Sequence, residues 1–160
     1  MSVTHRSLSD QLIKTIESHA EALARGAVAK LQGSRRTNSF QRLSYDELYF
    51  RIYQVYHELG LWLQTKSDYE IHCWYVELGE KRFNEGMPLE EVLWALVLEK
   101  YYVCDYLHTF ATTNSAMELY QQQEFDRLIG QFFDRAGCYT AEGYEHQASL
   151  QRRGAATITH

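Results

Sequence analysis

Residues 89–110, LEEVLWALVLEKYYVCDYLHTF, decide the fold. Leu89, Val92, Leu93, Leu96, Val97, Tyr101, Val103 and Leu107 recur at helical spacing, and Trp94, Leu98, Tyr102, Tyr106 and Phe110 fill the neighbouring faces. A helix that is apolar around most of its circumference must be surrounded by others, so this segment predicts the central helix of an all-α domain. Its start is marked by Pro88, whose missing N–H costs nothing at a first helical position. Glu90 and Glu91 suit the positive end of the helix dipole. With one proline and nine glycines in 160 residues, the chain favours long uninterrupted helices over a turn-rich sheet.

Working outward, the preceding helix starts at a capping box of Ser67 with Glu70, carries Ile71, Trp74, Tyr75 and Leu78, and stops at Gly86. Before it, Ser44 with Glu47 forms another capping box, with Leu43 and Leu48 spaced as a hydrophobic staple. The stripe Leu48, Ile52, Val55, Leu59 and Leu63 follows, beside a second stripe of Tyr45, Tyr49, Tyr53 and Tyr56. The first helix spans about residues 8–31 on the stripe Leu12, Ile16, Ala20, Leu23, Ala27 and Leu31. Residues 33–43, GSRRTNSFQRL, read as a mobile polar loop whose arginines Arg35, Arg36 and Arg42 are solvated.

Downstream, Ser115 with Glu118 opens a last helix on Phe125, Leu128, Ile129, Phe132, Phe133, Ala136 and Tyr139, reaching about Leu150. Some 35 residues of helix exceed the diameter of a small domain, roughly 30 Å, so its far end must project or meet another subunit. The expectation is an all-α, globin-like or up-and-down bundle of about five helices in one domain, residues 1–150, with residues 151–160 a disordered tail.

The net charge of −5 and pI of about 5.8 argue against a nucleic-acid partner. No run is long and apolar enough for a bilayer, and the first twenty residues lack an apolar signal region. Cys73, Cys104 and Cys138 are an odd, widely spaced set, expected as free thiols in a reducing cytoplasm.

Catalytic signatures are missing: the sequence has no Glu-x-x-His pair, P-loop, dinucleotide fingerprint or nucleophile elbow. Glu70, Glu77, Glu99 and Asp105 offer carboxylates, but helix surfaces always carry such residues, so no enzyme is expected. Cys104 and His108 share a helix face, and with His72 and Cys73 of the preceding helix they would make a four-ligand metal set if packing joined them. Arg82 follows Leu78 on the apolar side of its helix, where a guanidinium must snorkel, pair with a carboxylate or hold an anionic ligand. The abundant aromatic residues form core stripes, an interface or the lining of a pocket.

The run Leu78-Gly79, Arg82, Gly86-Met87-Pro88-Leu89, followed by the apolar helix, resembles the N-terminal sensor domains of the RsbT co-antagonist proteins of bacterial stressosomes. It also resembles the junction of the F and G helices in globin-coupled sensors, whose haem-binding histidine falls on Arg82. A guanidinium cannot ligate haem iron as imidazole does. The resemblance therefore implies a haem-free, globin-like bacterial signalling domain without cofactor. It would act through ligand binding at Arg82, Trp74, Tyr75, Tyr101 and Tyr53, or through protein–protein contact, as a homodimer joined by the C-terminal helix and with a signalling protein as partner. The rival expectation is a haem- or metal-binding protein using His72, His108 and Cys104.

Overall fold

A computed structural model describes residues 8–110 and 115–158, the side chains of Leu8, Ser9 and Phe110 excepted. The chain is all-helical, and among the described residues there is no strand. Among the described residues, seven helical segments take the place of the five expected: α1 (Leu8–Ser18), α2 (Ala20–Gln32), a 3-10 helix (Arg35–Arg42), α3 (Tyr45–Thr65), α4 (Asp68–Asn84), α5 (Leu89–Phe110) and α6 (Ala116–Ile158).

The first extra segment arises because the predicted first helix breaks at His19, whose φ of −109° and ψ of 15° leave the helical range. Just before it, the Thr15 and Ser18 hydroxyls donate to the carbonyls of Gln11 and Lys14. Such back-bonding bends helices, and the hydrophobic stripe continues across the bend with every expected residue buried. The second is the 3-10 helix, in the stretch expected to be a mobile loop. Thr37 donates to the Leu31 carbonyl at 2.8 Å, Ser39 bonds Glu91 of α5 through its backbone N–H and its hydroxyl, and Phe40 enters the core. One apolar residue in a polar run is too little periodicity to announce an anchored element.

Two of the three capping boxes form on their N-cap side: Ser44 accepts from the Glu47 N–H at 3.2 Å, and Ser115 from that of Glu118 at 3.1 Å. The Ser67 side chain makes no such bond. Helix α4 ends in a Schellman motif, with Gly86 N–H donating to Phe83 O and Met87 N–H to Arg82 O. Gly86 takes a φ of +76°, a conformation that disfavours a side chain.

Helices α4 and α6 make the most extensive contact, α3 packs on α2, and α5 lies against α6, α2 and the 3-10 helix. The α4–α6 approach depends on two glycines. A Cβ on Gly79 would sit 2.2 Å from the Thr140 carbonyl oxygen, and one on Gly143 would sit 2.1 Å from that of Val76. Helix α5 is less enclosed than its composition predicts: Leu93, Trp94 and Val97 are half-buried and Tyr101 is exposed. Helix α6 runs 43 residues, about 65 Å at 1.5 Å per residue, and residues 151–158, expected as a tail, form its exposed end. No described helix is long and apolar enough to cross a membrane.

Candidate functional site: the α3–α4 cleft

Helix periodicity builds the site. Glu47, Phe50, Arg51 and Gln54 lie on one face of α3, and Trp74, Glu77, Leu78, Lys81 and Arg82 lie on one face of α4. The two faces enclose a cleft of about 310 Å³. Beneath it lies a chamber of about 30 Å³, which shares Arg51, Gln54, Trp74, Leu78 and Arg82 with the cleft. Phe40, Ile52, Val55 and Leu96 are among its apolar walls, and Glu99 of α5 is its acidic one.

The charges are ordered from the mouth inward. Arg51 binds Glu47 at 2.9 Å and Glu85 at 3.0 Å, and Arg82 binds the same Glu85 at 3.0 Å. Burial, and next the neighbouring Arg51, pull the Arg82 guanidinium below its usual pKa. Deeper in, Glu99 is 4% exposed and its Oε2 has no hydrogen-bond partner. Burial pushes this carboxyl up to about 8, with Arg82 acting in the opposite direction. At neutral pH Glu99 is therefore mostly protonated. Tyr56 donates its hydroxyl to the Glu99 backbone carbonyl at 3.0 Å, whereas the buried Tyr75 hydroxyl has no partner.

Of the five residues expected to bind a ligand, Arg82 and Trp74 line the cleft together. Tyr75 is buried behind it, with its ring edge-on to Phe132 at 5.8 Å and to Trp74 at 4.7 Å. Tyr53 lies outside the cleft lining and belongs instead to a ladder of stacked rings, Tyr45, Tyr49, Tyr53 and His57, spaced 6.2–6.4 Å apart along α3. Tyr101 is exposed on α5, with the Lys100 ammonium 5.3 Å from its ring.

The four residues of the metal set are not assembled. His72 bonds Glu142 at 3.0 Å and His108 bonds Asp126 at 2.9 Å, so each ring is turned to α6. Cys73 is exposed. Cys104 is half-buried, its thiol pushed up to about 11 by burial and next by Asp126. Among the described residues no group of three or more His, Cys, Asp or Glu side chains is placed to hold a metal ion.

Sequence reasoning set Glu99 aside as one of several helix-surface carboxylates. Its signal was its surroundings, a lone acid beside Lys100 in a turn otherwise made of Leu98, Tyr101 and Tyr102. No protein-family model matches the chain, and neither a curated protein nor a solved structure matches it.

Proposed function

We propose that the chain is a non-catalytic bacterial signalling domain, a haem-free, globin-like sensor that receives a small effector in the α3–α4 cleft and passes the signal on by protein–protein contact. The observation that carries this reading is the α3–α4 cleft of about 310 Å³, lined by Arg82 and Trp74, which shares these residues with the chamber that the buried Glu99 helps to line. A concave site that combines apolar and aromatic side chains with a few charged groups is the usual form of a small-molecule site. A chamber of about 30 Å³ favours a small group over a macrocycle. The motif that resembles the stressosome sensor domains supports the same reading, because Arg82 and Leu78 line the cleft and Gly86 forms the turn that closes α4.

Onward signalling would use self-association through α6, whose exposed end stands clear of the domain, within a homodimer, the commonest closed assembly. An effector that fits one packing of α3 and α4 better than another would shift their balance.

The test is a small-molecule fragment screen monitored by NMR. Binding fragments should shift the Trp74 indole and Arg82 guanidinium resonances, lose affinity in Arg82→Ala, and be excluded by Leu78→Trp, which fills the cleft. Fragments that bind elsewhere while these resonances stay fixed would sink the reading. Light scattering at high protein concentration tests the dimer, and a strictly monomeric mass would remove it.

A further inference from the structure

We infer that the Nε–Nη2 edge of Arg82 seats a carboxylate, so that the effector is a small apolar monocarboxylate whose body lies against Trp74 and Phe50. The inference rests on the reading of the cleft as an effector site and adds the ligand's chemical class.

The donors come first. Arg82 is 9% exposed, and a guanidinium carries five N–H bonds. Its Nη1 donates to Glu85 Oε1 at 3.0 Å, whereas among the described residues Nε and Nη2 meet no acceptor. The sealed side-chain atoms without a partner are the Tyr75 hydroxyl and Glu99 Oε2, so these two nitrogens are not shut inside the core. The hollows that Arg82 borders are the cleft and the chamber beneath it, and its open edge is presented to them. Two parallel N–H bonds match the two oxygens of one carboxylate.

Charge comes second. Three cations line the cleft, Arg51, Lys81 and Arg82, against two acids, Glu47 and Glu77. The third acid, Glu85, binds both arginines from outside that lining and borders a separate hollow with Leu43 and Met87. The signs also differ in their access to water. The Arg51 and Arg82 side chains are 13% and 11% exposed, those of Glu47 and Glu85 50% and 37%. Water screens the acids more than the guanidiniums, so the sheltered part of the cleft is positive. In keeping with this, repulsion from Arg51 acts on Arg82 more strongly than Coulombic attraction from Glu85. Glu99 beneath, which holds its proton up to about pH 8, does not oppose an anion at neutral pH.

The form of the anion comes third. Arg51 is committed to Glu47 and Glu85, and Lys81 to Glu77. A phosphate would therefore find one open edge for its three charged oxygens, whereas a carboxylate needs no more than that edge. The cleft, about 310 Å³, lies at the lower end of the range for small-molecule sites, about 300–1,000 Å³, which suits a body of about one ring. Phe50 of α3 and Trp74 and Leu78 of α4 give that body apolar walls.

The experiment titrates the full chain with sodium benzoate by calorimetry at pH 7. Benzamide is the neutral isostere, sodium acetate lacks the body, and inorganic phosphate offers the other anion. Benzoate should bind at least about tenfold more tightly than benzamide, as a pair of hydrogen bonds to a charged group requires, and acetate more weakly than benzoate. In NMR spectra benzoate should shift the Arg82 Nε–H resonance and slow its exchange with water. Arg82→Lys keeps the charge beside Glu85 but lacks the two-donor edge, and it should weaken benzoate at least about tenfold. The proposal is overturned if benzamide binds as well as benzoate, if phosphate binds more tightly, if the Nε–H resonance stays fixed, or if Arg82→Lys binds benzoate unchanged. The wild-type preferences and the Nε–H resonance decide the matter even if that variant folds poorly. Equal binding of benzamide and benzoate that Leu78→Trp abolishes would overturn the carboxylate while leaving the cleft as an effector site. If none of the four binds, the carboxylate is overturned, and the fragment screen judges the cleft separately.

Discussion

Arg82 and Glu99 line one chamber, yet the guanidinium is bonded to Glu85 and the Glu99 Oε2 to nothing. The pair is therefore coupled through space without a contact, and burial prevails over attraction in setting the state of the carboxyl. This has a consequence for stability. The folded chain holds the Glu99 proton up to about pH 8, whereas an unfolded glutamate releases it near 4.5. Between those values the folded state binds more protons, so this contribution to stability falls as pH rises, by about 1.4 kcal/mol per unit, and is flat above the window. Glu99→Gln, neutral at every pH, lacks that slope. Urea unfolding from pH 5 to pH 9 should show the variant close to wild type at pH 5 and more stable at pH 9. Parallel curves for the two proteins would show that Glu99 is not desolvated.

The α4–α6 crossing is predicted to reject even one methyl group. In Gly79→Ala or Gly143→Ala the new Cβ would meet backbone of the opposite helix, Thr140 O or Val76 O. Backbone cannot swing aside as a side chain does, so the helices must separate. Overpacking of this kind costs about 1–3 kcal/mol, and the gain in helix propensity, about 1 kcal/mol, offsets only part of it. Gly130 is the control, since nothing lies within 4 Å of its added Cβ. Thermal melting should show Gly79→Ala and Gly143→Ala lowered by several degrees and Gly130→Ala unchanged or raised. Equal behaviour of all three would remove the close crossing.

The local rules of helix formation carried the reading of the fold a long way. The stripes of α3, from Leu48 to Leu63, and of α6, from Phe125 to Ala136, are buried where their spacing places them, Leu128 alone being only partly covered. What stayed hidden depends on contacts between residues far apart in the chain. Nothing near Ser39 reveals that Glu91, 52 residues on, receives its hydroxyl and N–H. Nothing beside Gly79 announces Gly143. In the cleft, Arg82 and Trp74 were legible because both lie on one face of a single helix. Glu99 was not, because a carboxylate on a surface helix and one on a buried helix look alike until neighbouring helices are packed against them. Tyr53 and Tyr101 lie outside the cleft lining for the converse reason: aromatic residues at helical spacing indicate a covered face without indicating which neighbour covers it.

Tyr144 ties α6 to the turn that positions Arg82. Its hydroxyl donates to the Met87 carbonyl at 2.7 Å, and its ring meets Phe83 edge-on at 5.8 Å. In Tyr144→Phe the ring packing survives and a buried carbonyl loses its donor, at a cost of about 1–2 kcal/mol. Because the Gly86 and Met87 amides cap α4 from the same turn, their hydrogen exchange should quicken in the variant more than that of the α2 core. Uniform acceleration would indicate global destabilisation instead, and no change would indicate that solvent already reaches the carbonyl.

The three cysteines should separate by reactivity rather than by sequence context. Cys73 and Cys138 are exposed, whereas Cys104 is half-buried with its thiol held up to about 11. Burial is the main cause, Asp126 adds to it, and Lys100 opposes it. Thiolate is the reactive species, and at pH 8 a thiol titrating near 11 presents roughly a thousandth of itself in that form. A colorimetric disulfide reagent at pH 8 should therefore modify Cys73 and Cys138 quickly and Cys104 at least about 100-fold more slowly, with the third thiol released at once by denaturant. Cys104→Ser should leave the fast phase intact, whereas Cys73→Ser should remove half of it. Three thiols reacting at one rate in the folded protein would show that α5 is open to solvent at Cys104, contrary to its packing beside the core.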